Sequence, residues 1–168
     1  RIPALPPKQW PRELLEASSA IRAPEGFPAP PIAGASGKPR GLATLETFAH
    51  HPDLAKAFFP FNGHVQYGTT LAPRQRGILV LRVGVVRQST YMWSQHFLTG
   101  RELGLTDEDM ANVAFGANAP TLDPLDAALI RAVDELIEDG VISDATWNEL
   151  SADFDHRQML DVIFTVGC

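Results

Sequence analysis

Proline placement divides this chain in two. Nine of the fourteen prolines fall in residues 1–40. The run Ala23-Pro24-Glu25-Gly26-Phe27-Pro28-Ala29-Pro30-Pro31 cannot sustain a helix, because proline lacks the N–H and its ring clashes with the preceding turn. Most later prolines stand where a helix would begin. The pattern predicts an extended proline-rich N-terminal arm, residues 1–40, with one short helix at about Pro11 to Ser18, followed by a helical domain, residues 41–168. Ile2, Leu5, Trp10, Leu14, Leu15, Phe27 and Ile32 are apolar anchors, so the arm is expected to wrap the domain or to reach a neighbouring subunit rather than hang free.

Beyond residue 41 the text reads as successive helix starts. A helix begins near Thr44. His51-Pro52 offers a cap followed by proline at the first helical position and introduces Asp53 to Phe61. Ala72-Pro73 repeats the device before Arg74 to Val86. Thr106 with Asp109 forms a capping-box pattern for a short helix to about Ala114. Asp123-Pro124 opens a helix whose apolar positions Leu125, Ala128, Leu129, Ala132, Val133, Leu136 and Ile137 keep the helical period until Gly140. Ser143 opens another through Leu150, and Asp155 with Gln158 opens the last. The segment Gly77-Ile78-Leu79-Val80-Leu81-Arg82-Val83-Gly84-Val85-Val86 is β-branched, and periodicity alone leaves it open between helix and buried strand. We assign it as helix because its neighbours are helical and no second strand candidate exists to pair its ladder groups. The expected fold class is therefore all-α.

Composition narrows the function classes. Hydrophobic residues make up 45% and charged residues 20%, with a formal net charge of −6, as expected of a globular domain with no nucleic-acid footprint. Arg74, Arg76, Arg82 and Arg87 interleave with apolar residues and read as solvated or salt-bridged helix positions, with anion binding as the alternative. The longest apolar run, Ile78 to Val86, is too short to span a bilayer. The single cysteine, Cys168, excludes an internal disulfide framework and, with no charged-then-apolar leader pattern, sets the expectation of a cytoplasmic protein. No histidine pair has ligand spacing, so no metal is expected.

Chemistry concentrates in Ser89-Thr90-Tyr91-Met92-Trp93-Ser94-Gln95-His96. On a helix, Ser89, Met92, Trp93 and His96 share one face, whose titratable group is His96. Imidazole is the side chain best suited to moving protons near neutral pH, so His96 is the candidate catalytic residue. Ser89 either binds a substrate oxygen or caps the helix. Tyr91, Met92 and Trp93 are candidate substrate contacts, since an aromatic beside a pocket can orient an unsaturated ligand. His64, in the aromatic-rich segment Phe58 to Tyr67, is a further candidate for the same pocket.

From about Leu42 onward the sequence resembles the carboxymuconolactone decarboxylase and alkylhydroperoxidase D-like (AhpD-like) superfamily. The matching blocks are Leu71-Ala72-Pro73-Arg74-Gln75-Arg76, Leu79-Val80-Leu81-Arg82-Val83, Tyr91 to His96, Gly104 to Asp109, Ala132-Val133-Asp134-Glu135-Leu136, Ile142 to Trp147 and Phe164-Thr165-Val166-Gly167. The resemblance implies an all-α helical bundle, a helical hairpin carrying the site, and homo-oligomers. The superfamily's peroxidase branch uses a glutamate, a Cys-x-x-Cys pair and a histidine. Aligned on His96, the cysteine positions fall at Ser89 and Met92 and the glutamate position at Gly77. Serine is far too weak an acid to replace a redox thiolate, and a thioether forms no disulfide. The decarboxylase branch needs no metal or organic cofactor. The resemblance thus implies a cofactor-independent lyase or isomerase acting on a small carbonyl- or lactone-containing substrate, with His96 as proton shuttle. The alternatives are a non-catalytic small-molecule-binding or structural oligomer that reuses the fold and, third, a thiol peroxidase dependent on Cys168.

Overall fold

The computed structural model describes residues 2–25 and 42–168. They form two compact units, divided between Thr69 and Thr70. Among the described residues the secondary structure is helical throughout, as the capping and periodicity signals predict.

The first unit contains α1 (Arg12–Ala17), α2 (Leu42–Phe48) and α3 (Pro52–Gly63), with short 3-10 turns before and after α1 at Pro7–Gln9 and Ser18–Ile21. Leu14, Ala49, Ala55 and Phe59 form its core, with Leu5, Trp10 and Phe58 packed against them. Phe48 stacks on Phe58 at 5.6 Å between centroids and meets Phe59 at 4.9 Å. α3 runs against the backbone that follows α1, where a Cβ on Gly63 would collide with the Ala20 carbonyl oxygen. Glycine is the residue that permits this approach. Of the expected apolar anchors, Leu14 is fully buried, while Ile2 and Leu15 are exposed. Leu15 is the neighbour of Leu14 on a helix with one buried face, so the turn of about 100° per residue carries it towards solvent. Phe27 and Ile32 lie outside the described residues.

The second unit is built around α4 (Pro73–Val86), with α5 (Thr90–Glu102), α6 (Asp107–Phe115), α7 (Pro124–Glu138), α8 (Asp144–Ser151) and α9 (His156–Gly167) around it. Four consecutive α4 residues, Arg76, Gly77, Ile78 and Leu79, are buried, which is more than one full turn. A helix buried on every side needs no polar face. That is why its sequence lacks amphipathic period and reads equally well as a strand. The local caps form as expected. Thr106 and Asp109 exchange side chain-to-backbone bonds at 3.1 and 2.8 Å, and Asp155 accepts from the Gln158 N–H while Gln158 accepts from the Asp155 N–H. Gly140, at φ +75°, terminates α7.

Two ion pairs set α4 against α7. Arg74 bonds Asp126 at 2.8 Å and Asp109 at 2.6 Å. Arg82 grips Asp134 with two bonds of 2.6 and 2.8 Å, and also donates to the Val113 carbonyl at the end of α6. Both pairs join residues 52 apart in sequence, so α4 and α7 run parallel in constant register. The Arg74 guanidinium is held above its ordinary pKa, chiefly by its bond to Asp126. Gly116, at φ +114°, lies against the Arg82 guanidinium, where a Cβ would come within 3.3 Å of it. Glu135 ties α7 to the start of α8 by accepting from the Ser143 N–H, the Ser143 hydroxyl and the Thr146 hydroxyl.

Two predictions follow from these contacts. Asp134→Ala should destabilise the chain by about 2–3 kcal/mol in denaturant titration, because the Arg82 guanidinium loses a two-pronged partner in a largely buried position. The second concerns pH. Burial pushes the carboxyls of Asp109 and Glu135 up, but hydrogen bonds from Thr106 to Asp109 and from Ser143 and Thr146 to Glu135, with the nearby Arg74 and Arg131 charges, leave both below the usual carboxylate range. Each therefore contributes stability that is present above the unfolded-state pKa and is lost as pH falls through the folded value. Glu135→Gln should cost about 1 kcal/mol at pH 7, and in paired melts the difference from the native chain should narrow as pH falls through and below the ordinary carboxylate range.

Candidate functional site

The residues singled out between 89 and 96 lie at the start of α5, on a tight hairpin with α4. Arg87 closes α4. Gln88 adopts φ +51°, a left-handed conformation usually given to glycine. The Ser89 N–H donates to the Gly84 carbonyl at 2.9 Å, and the Ser89 hydroxyl accepts from the Met92 N–H at 3.2 Å. Of the two readings of Ser89, capping is therefore realised. This bond uses a lone pair on Oγ and leaves the O–H able to donate elsewhere.

α5 lies on α4 at close range. A Cβ on Gly84 would stand 3.4 Å from the Trp93 nitrogen and 3.5 Å from the Met92 Cβ. Gly100 meets Leu81 and Leu105 and is the buried residue of α5. Because the contact is made through glycines, the larger α5 side chains keep part of their surface. Met92, Trp93, Gln95, His96 and Phe97 are all half-buried. Met92, Trp93, His96 and Gly100 are spaced three and four apart and share a face, so His96 stands on the helix side that carries a thioether and an indole.

The other predicted residues are placed differently. Tyr91 is half-exposed and lies about 140° from His96 around the helix axis. Its helix face is not that of His96. His64 belongs to the first unit, where it is exposed at the head of a π-helical turn, His64–Gly68, and its ring backs onto Gly68, whose Cβ would be 2.8 Å from Nδ1. Gly77, at the superfamily's glutamate position, is buried on α4, and a Cβ there would come within 3.0 Å of the Leu105 side chain. A side chain at this position would press on the Leu105 methyl. Cys168 is exposed after the end of α9.

One flank of the site escaped the sequence reading. Trp93 and Phe97 lie 5.8 Å apart between centroids, and the Arg101 guanidinium sits 5.4 Å over the Phe97 ring while bonding Asp107 at 2.6 Å. The spacing of 93, 97 and 101 is a helical i, i+4, i+8 series, a signal that lies in the sequence beyond the 89–96 motif. Among the described residues there is no group of three or more His, Cys, Asp or Glu side chains placed to hold a metal ion. No helix among them is long and apolar enough to cross a membrane.

Comparison with known proteins bears on the fold and the family. The profile of the carboxymuconolactone decarboxylase family matches residues 52–135. A solved structure from Ralstonia eutropha JMP134, described as an alkylhydroperoxidase AhpD core and an uncharacterized peroxidase-related protein, aligns with a TM-score of 0.67 at 17% identity, over 99% of this chain and 82% of that one. A protein of unknown function from Agrobacterium tumefaciens, whose description names the antioxidant defence protein AhpD, aligns with a TM-score of 0.64 at 20% identity, over 71% of this chain and 83% of that one. At these identities the two structures establish a shared all-α fold. No curated protein is significantly similar in sequence.

Ser89→Ala separates the cap from any further role. Loss of the cap alone should lower stability by about 1 kcal/mol in thermal or denaturant melts, and Ser89→Asp, which can also cap, should recover most of it.

Proposed function

Because the chain belongs to the carboxymuconolactone decarboxylase family, we propose that it is a cofactor-independent lyase or isomerase acting on a small carbonyl- or lactone-containing molecule, with His96 as the acid–base residue. The observation that carries this reading is the composition of the α5 face. A half-buried imidazole stands among Met92 and Trp93, with neither thiol nor acid at the superfamily's redox positions. A proton moves to or from the carbon next to the carbonyl, and the imidazole is the group on that face able to give or take it near neutral pH. The Ser89 O–H donates to a substrate oxygen, which stabilises negative charge as it develops there. Met92 and Trp93 offer a polarisable apolar surface to the substrate's carbon skeleton. Assembly as a homo-oligomer belongs to the same proposal and is supported by the exposed pair Leu160 and Phe164, one turn apart on α9. Action in a reducing compartment such as the cytoplasm is supported by the single cysteine.

A second reading, a ligand-binding or structural protein without turnover, is favoured by one specific observation. The Leu105 side chain lies against Gly77, the position that the resemblance sets against the peroxidase branch's glutamate, which supports packing rather than acid chemistry there. Turnover of a panel of small lactones and β-keto acids, followed with solvent deuterium incorporation, separates the two. His96→Gln should reduce kcat by about 10²–10⁴-fold while leaving the melting transition near that of the native chain. An unchanged rate removes His96 from the chemistry, and binding without turnover across the panel favours the second reading.

A further inference from the structure

Two adjacent imidazoles in the turn between α2 and α3 do opposite work. His50 Nε2 lies 2.7 Å from the Pro3 carbonyl oxygen. A carbonyl only accepts, so Nε2 carries the hydrogen in this contact. His51 is the N-cap of α3, and its Nδ1 lies 3.2 Å from the Leu54 nitrogen. A backbone N–H only donates, so Nδ1 must present its lone pair. Protonation therefore affects the two differently. It leaves the His50 donor in place. At His51 it removes the acceptor and sets a positive charge against the positive end of the α3 dipole.

We infer that the His50–His51 turn is a pH-sensitive clasp: protonation of His51 releases the first turn of α3, while the N-terminal segment stays attached through His50. Serine, threonine and asparagine, common N-caps, carry no titrating group, so a histidine in this place makes the helix start respond to acid. The N-terminal segment is also held without a titrating group, by the Leu5 N–H to the Glu46 backbone carbonyl at 3.2 Å and by the packing of Leu5 and Trp10 on the core of the unit. The first turn of α3 takes its side-chain cap from the His51 ring. It also carries Ala55, a fully buried member of the unit's core whose N–H bonds the His51 carbonyl, so loosening the turn reaches the packing around Leu14 and Phe59.

Among the described residues, the charged groups on the flanking elements are Lys8 in the N-terminal segment, Arg22 at the end of the Ser18–Ile21 turn, Glu46 on α2, and Asp53 and Lys56 on α3. On α1, which packs on α3, Glu13 stands beside the paired Arg12 and Glu16. Between pH 7.5 and 5.5 imidazole is the side-chain type that changes charge. The histidines of this unit are His50, His51 and His64, and His64 follows the far end of α3.

Amide hydrogen exchange read by NMR on the full chain tests the clasp. Corrected for the intrinsic exchange rate, protection of the Leu54 amide should fall about five-fold between pH 7.5 and 5.5, the factor expected for one N-cap. In His51→Asn, which caps without titrating, protection should hold across the same range. His50→Gln should keep the native pH response. An unprotected Leu54 amide at pH 7.5, protection that ignores pH, or an equal loss in His51→Asn would overturn the proposal. Should His51→Asn fail to fold, the native His51 Nδ1 nitrogen shift decides. Conversion from acceptor to N–H in step with Leu54 exchange supports the clasp, and conversion unlinked to it defeats the clasp.

Discussion

The second unit is arranged around α4, whose stretch 76–79 is buried on every side. A helix with neighbours on every side must satisfy its charged residues internally and let at least one neighbour approach at backbone distance. The chain meets the second demand with glycines. Gly84 brings the start of α5 against α4, Gly100 brings its end against Leu81 and Leu105, and Gly77 gives the Leu105 side chain its place. The first demand is met by Arg74 and Arg82, which reach out to carboxylates on α6 and α7. The glycine contacts seat α5 and with it His96.

The same packing explains the character of the α5 face. Contacts through glycine bury backbone rather than side chains, so Met92, Trp93, His96 and Phe97 remain half-open on a helix that is firmly seated. A site needs groups that are both fixed and reachable, and glycine seating supplies that combination. The left-handed Gln88 and the Ser89 cap then fix where α5 begins. A left-handed residue other than glycine costs roughly 1 kcal/mol, and here it sits one residue before the helix that carries the imidazole.

What the sequence disclosed follows the range of each interaction. Helix starts are local, so His51-Pro52, Thr106 with Asp109, Asp123-Pro124 and Asp155 with Gln158 were readable within four residues. The all-α class followed from them. α4 was readable only by elimination, because burial on all sides erases the amphipathic signal. The partners of Arg74 and Arg82 were not readable, since 52 residues of chain intervene. The helical shared face of Met92, Trp93 and His96 was legible from spacing. Tyr91 shares aromatic character with Trp93, but the turn per residue sets it on another face of α5. The occupied space beside Gly77 depends on Leu105, a residue the motif does not contain.

The constant offset between α4 and α7 also has a meaning in chain entropy. Joining Arg74 to Asp126 closes a loop of 52 residues. By loop-closure scaling this costs about 2 kcal/mol more than closing the few residues of the α4–α5 hairpin. Once that loop is closed and both helices are formed, Arg82 and Asp134 are already opposite each other, and their pairing fixes almost no additional chain. The long closure is met once and serves both pairs. Arg74–Asp126 and Arg82–Asp134 are thus two teeth of one zip rather than two separate increments of stability.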